Sequence, residues 1–331
     1  MRERGRLIGT VSDRRAELML GALASVVLLL ITLMIISVFA KAWPSFAHNG
    51  LSWFGWGGGG SVDQQLEAIF NSPADPRNYV YEVRVWPLVW GTLVTTLGAL
   101  AVGLAFAVLA AIYIVEFAPQ AMRRLLEPVV RLLAAVPSVI YGLIGVLVLV
   151  PFVGQHLISD ERKESVIYVI PLTGGGLLVA WTILTVMITP IMIAIVVDAL
   201  RSVPRSWTEG SAALGVNRWR TVWTIAVRAS RPAIVAAAVL ACARALGEAI
   251  MLSMVSGSKG FAPNPLDGLT FLFEPTRPLA ATIVEGAEGF SVKPYGQTLY
   301  AMGALLLVSS FFLSLGGWAA KQSLRRHGVG A

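Results

Sequence analysis

Six stretches of this chain, residues 18–40, 86–115, 132–153, 168–197, 233–256 and 295–320, are long, apolar and almost free of charge. A bilayer core about 30 Å thick takes roughly 20 apolar residues of helix, because backbone groups find no partner in hydrocarbon except within the helix itself. Five of the stretches hold no Asp, Glu, Lys or Arg; the other, 233–256, holds Arg244 and Glu248. Hydrophobic residues make up 56% of the chain and charged residues 14%, against about 45–50% and 25% in soluble domains. So few charges cannot cover a wet surface. The fold class expected is an all-α polytopic membrane protein with six transmembrane helices.

Lys and Arg between the spans give the orientation. The N-terminus, the second and fourth connections and the C-terminus together carry 17, and the other three connections carry 8. The positive-inside rule then places both termini in the cytoplasm. The net charge of +7 is in this reading a topology signal with no nucleic-acid partner behind it, and its basic rim suits membrane lipid headgroups. Ala40, Lys41 and Ala42 mimic a small-x-small cleavage site, but the apolar run before them exceeds the 7–15 residues of a signal peptide, so an uncleaved anchor is expected. The single cysteine, Cys242, leaves no disulfide framework and no cysteine-based metal site.

The resulting organisation is a basic tail (1–17), a first span (18–40), an outer segment (41–85), a core (86–320) and a short tail (321–331). The core includes a cytoplasmic loop (198–232) and a second outer segment (257–294). Trp43, Trp53 and Trp56 flank the first span, where aromatic belts sit, and Gly57 to Gly60 read as a hinge. Pro263, Pro265, Pro275 and Pro278 make 257–294 an irregular lid.

The cytoplasmic loop has the most distinctive spacing. Glu209 is followed by Gly210, Ser211, Ala212, Ala213 and Leu214, then Gly215, with Ile225 ten residues further. Pro204 suits the first position of a helix capped by Ser202, Gly215 suits a left-handed stop, and the helix between would run about eleven residues, near 16 Å. Asn217 can cap a second helix with Trp219, Val222, Trp223 and Ala226 on one stripe. Small side chains at 210–213 let another surface approach closely, and Glu209 offers it a carboxylate. From the spacing alone, a loop lying on the membrane surface remains open. The segment resembles the "EAA" coupling loop of ABC importer permeases, and that resemblance implies that Glu209, Gly210, Ser211, Ala212, Ala213 and Gly215 engage a motor subunit.

Arg244 and Glu248 are four residues apart, which on a continuous helix puts them on one face. Each charge costs roughly 2.5–3.5 kcal/mol at the bilayer centre, so both are expected to face a protein-lined or wet pathway and to lean on each other. A guanidinium fork suits an oxyanion, and a competing carboxylate would let that anion leave. A fixed interhelical ion pair is the other reading. Arg244, Ala245, Leu246, Gly247 and Glu248 in this position are similar to the Pst-type phosphate permeases, as are Pro137, Ser138, Tyr141, Gly142 and Leu143 in the third span. Ala249, Ile250, Met251 and Leu252 then follow where the sister subunit has Thr-Ala-Pro, which makes this chain PstC-like.

The resemblance implies a type I, MetI-like importer fold in a bacterial plasma membrane. It also implies an external phosphate-binding protein, a second homologous permease and a dimer of ATP-binding subunits, with phosphate as solute. ATP and Mg would be held by the partner ATPase and no cofactor or metal by this chain. No G-x-x-x-x-G-K-[ST] run occurs, in keeping with a non-enzymatic transport subunit. Permeation of another oxyanion, or secondary anion transport through Arg244 and Glu248, are the alternatives. A membrane enzyme fits poorly, because His48, His156 and His327 all lie outside the spans.

Overall fold

The computed structural model describes the backbone of residues 2–55, 61–73 and 75–327; Trp56 and the four glycines of the expected hinge lie outside the described residues. Helices α1 (Arg2–Asn49) and α2 (Val62–Phe70) are followed by α3 (Trp86–Phe117), α4 (Gln120–Ala135), α5 (Ser138–Leu157) and α6 (Asp160–Val166). Then come α7 (Leu177–Arg201), α8 (Arg205–Ala213), α9 (Arg218–Leu246), α10 (Ile250–Val255), α11 (Leu279–Glu285) and α12 (Tyr295–His327). Six of these, α1, α3, α5, α7, α9 and α12, contain a stretch long and apolar enough to cross a membrane, as expected.

Three spans differ in extent from their apolar stretches. The stretch 132–153 is cut at Val136 and Pro137, whose ψ values of 130° and 135° end α4 before α5 begins. Proline has no N–H for the carbonyl four residues back and clashes with it, so a continuous helix is lost there. The stretch 168–197 becomes helical only at Leu177. Gly174 sits at φ +97° just before it, packed too close to Gly154 to admit a side chain. The stretch 233–256 is part of a helix that starts at Arg218, passes through Pro232, and stops at Leu246.

The larger core lies among α3, α5, α7, α9 and α10, with Ala99, Ala107, Ala111, Ile183, Ile188, Ala237, Ala241 and Met251 nearly or fully buried. Small residues on α3 let α7 come close: a side chain at Gly103 would lie 3.0 Å from the Met192 methyl. The Trp181 indole N–H donates to the Val94 carbonyl at 2.9 Å and fixes the register of the same pair. A second core joins α1, α2, the start of α3, α11 and α12 around Trp53, Ile69, Leu88, Leu299 and Met302. Trp53 was expected at the interface and is instead fully buried, its ring 4.8 Å from that of Phe46. Helix α2 starts at a capping box in which Ser61 and Gln64 satisfy each other's backbone N–H. Between residues 18 and 37 α1 has no buried residue.

Candidate translocation site and coupling loop

The third-span motif begins at the break between α4 and α5. Leu133, four residues before Pro137, keeps a carbonyl that no Pro137 N–H can reach. The Val136 N–H reaches that carbonyl at 3.3 Å instead, and the buried Tyr141 adds a second donor, its hydroxyl donating at 3.0 Å. Ser138 opens α5 half-buried. One turn on, Gly142 has no room for a side chain: a Cβ there would be 3.1 Å from the Met251 Cα and 2.9 Å from the Met254 sulfur. Gly145 is tight in the same way against Val255. The motif therefore seats α5 directly on α10.

Helix α10 is the piece of chain that follows Arg244 and Glu248. Arg244 lies in the last turn of α9 with an exposed side chain, near enough to Tyr141 to act on it electrostatically. Gly247 ends α9, and Glu248 falls in the non-helical link before α10. The Glu248 carboxylate is buried and makes no ion pair with Arg244; Oε1 accepts the Met251 N–H at 3.4 Å, at the start of α10. The expected ion pair on one helix face is therefore not formed, because the helix that would align the two residues stops between them. No carboxylate lies within ion-pair distance of Arg244 among the described residues. What remains is a guanidinium presented outward from the subunit beside a half-helix whose first turn a carboxylate holds.

At the end of the bundle formed by the α7–α9 connection, Glu209, Gly210, Ser211, Ala212 and Ala213 lie on α8, none of whose residues is buried. Gly215 adopts φ +77°. Its N–H donates to the Ala212 carbonyl and the Val216 N–H to that of Ser211, the double closure of a Schellman stop. Gly210 and Gly215 have open space where a side chain would be, and Leu214 is 84% exposed. The base of the loop is firmly tied. The Ser211 and Thr221 hydroxyls are 2.8 Å apart, the Asn217 side chain caps α9, and Arg218 reaches Glu116 at 3.5 Å. Arg201 forks onto Glu127 of α4, which holds the Glu127 carboxyl below the usual range.

Two expectations for this loop are corrected. Ser202 does not cap α8; its hydroxyl donates to Ala199 and closes α7, leaving Pro204 at the cap position and α8 nine residues long. The Trp219, Val222, Trp223, Ala226 stripe divides. Val222 and Ala226 are buried, while Trp219 and Trp223 stay outside with their rings edge-on at 5.7 Å. The wider i→i+5 turn over Val222–Ala226 rotates the residues away from a regular 3.6-residue stripe.

Sequence reasoning missed a charged cluster at the opposite end of the bundle. Arg277, with a side chain only 13% exposed, pairs with Asp63 of α2 and with Glu285 of α11. They border a cleft of about 480 Å³ shared with Glu67, Lys259 and Tyr295. Glu274 is buried nearby, accepting the Asn264 N–H at 2.9 Å, and burial pushes its carboxyl up to about 7. Asp63 and Arg277 are 214 positions apart, so no local pattern could have joined them.

Residues 103–319 match the family described as "Binding-protein-dependent transport system inner membrane component". The chain belongs to this family. It is thus a multi-pass inner membrane protein, a permease subunit of the importer class. Among curated relatives, the "Probable ABC transporter permease protein YqgH" of Bacillus subtilis is 32% identical, with 94% of this chain and 93% of the relative covered. The "Phosphate transport system permease protein PstC 1" of Mycobacterium tuberculosis is 31% identical, over 86% of this chain and 85% of the relative. Among solved structures, a chain of a bacterial alginate ABC transporter aligns with a TM-score of 0.58 at 14% identity, covering 96% of this chain and 99% of that one. That likeness extends the fold assignment over nearly the whole permease.

Proposed function

We propose that this chain is the PstC-like subunit of an ATP-driven importer of inorganic phosphate. It would form half of the pathway beside a second, homologous permease. In this reading an external phosphate-binding protein delivers the solute to the end carrying Arg277. A dimer of ATP-binding subunits grips α8 from the cytoplasm, where the Lys/Arg distribution puts both termini. ATP and Mg belong to that dimer, and this chain hydrolyses nothing and holds no cofactor.

The observation that carries the proposal is Arg244, exposed and without a carboxylate partner on a span otherwise free of charge within the membrane stretch except for Glu248. A bare guanidinium at that depth is tolerated where water or an anion reaches it, and its planar fork binds two oxyanion oxygens at once. The relatives named as phosphate permeases point to phosphate as that anion. Permeation of another oxyanion is the second reading, since YqgH carries no solute in its name.

Radiolabelled phosphate uptake by the assembled transporter tests both. Arg244→Gln is expected to abolish uptake while the complex still purifies intact, and competition by sulfate should leave wild-type uptake unchanged. Normal uptake by Arg244→Gln would reduce the arginine to a structural role. Strong competition by sulfate would favour the second reading.

A further inference from the structure

The α10 half-helix ends beside the outer charged cluster, and one side chain touches both. Ser258 has φ +48°, the only non-glycine at positive φ among the described residues, directly after Gly257 at +85°. This left-handed pair turns the chain back so that the Ser258 Oγ lies 2.7 Å from the Ser253 carbonyl and 2.6 Å from Glu285 Oε1. Strained backbone of this kind persists only where its surroundings hold it.

Both neighbours of that oxygen are acceptors, and a hydroxyl has one proton to give. The Ser253 carbonyl belongs to the last turn of α10, where carbonyls lack helical partners. Glu285 is half of the clasp on Arg277, whose other partner, Asp63, also accepts the Gly260 N–H at 3.1 Å and so ties α2 to the same turn. When Ser258 donates to Ser253, α10 is capped and Glu285 depends on Arg277 alone. When it donates to Glu285, the clasp gains a bond and the end of α10 loses one.

We infer that Ser258 is a positioning residue of the transport cycle, a single-proton toggle linking the half-helix next to Arg244 and Glu248 to the outer clasp of Asp63, Arg277 and Glu285. The clasp closes the outer end of the pathway, and movement of α10 opens it by drawing the hydroxyl back to Ser253. The inference rests on membership of the importer family and not on which solute is carried.

The test is solute-independent ATP hydrolysis by the complete transporter in nanodiscs, which a merely structural role would leave at its basal rate. Ser258→Ala removes the hydroxyl, and Ser258→Gly removes it while relieving the positive φ. Each is expected to raise basal hydrolysis about fivefold, the population shift of one net hydrogen bond, with complex yield unchanged. A wild-type basal rate in Ser258→Gly, or loss of assembly in both serine variants, would overturn the inference.

Discussion

Single side chains here act mainly by supplying or withholding one hydrogen bond. Pro137 withholds an N–H, and the Val136 N–H and the Tyr141 hydroxyl both donate to the carbonyl it would have served, so a helix break inside an apolar stretch leaves no orphan at Leu133. Glu274 is the contrasting case. Its carboxyl is buried, accepts one backbone N–H, neighbours Asp267 and has no cation in ion-pair reach among the described residues. Burial first and the Asp267 carboxylate second push its pKa from the ordinary 4.5 to about 7. The proton is thus held more tightly in the folded chain than in the unfolded one. Stability from this group is complete below about pH 4.5 and falls as pH rises through 7. Glu274→Gln should therefore unfold at a higher temperature than wild type at pH 8 and at the same temperature at pH 4, measured by thermal scans in detergent. An equal shift at both values would remove ionisation as the cause.

Among the elements, α5 and α8 make opposite use of glycine. Gly142 and Gly145 remove side chains so that α10 can sit against α5, whereas Gly210 removes one on a helix with nothing beside it. Gly142→Leu should accordingly impair folding of the permease. Gly210→Leu should leave its thermal stability within about 0.5 kcal/mol of wild type, the usual range for a surface change, yet weaken retention of the ATPase subunits. Co-purification of the complex reads out both, and full retention by Gly210→Leu would argue against α8 as the docking element. The spans were legible in the sequence because burial in hydrocarbon imposes composition on every residue. The stop at Gly215 and the cap at Asn217 were legible because their chemistry is local. The break at Gly247 was not: an i, i+4 spacing looks the same whether or not a glycine between the two residues ends the helix, and only packing against α5 decides it.

For the molecule as a whole, one buried cluster lies mainly among α3, α5, α7, α9 and α10 and the other among α1, α2 and α12, with α3 and α11 contributing to both. The pair of Asp63 with Arg277 joins distant positions and could not be read from either segment alone. Nothing in the chain resembles a phosphate-cradling loop for nucleotide, so the purified permease by itself should show no ATP hydrolysis above a denatured control. Substantial intrinsic turnover would end the division of labour proposed above.

Helix α8 touches almost nothing of its own molecule. Its sequence is therefore under little obligation to the fold that carries it, and on the proposed reading it would answer chiefly to the shape of the motor subunit. In such a helix, drift is checked by mating and not by folding, so related transporters should tell their own motors from their neighbours' at these nine residues before they differ anywhere in the bundle.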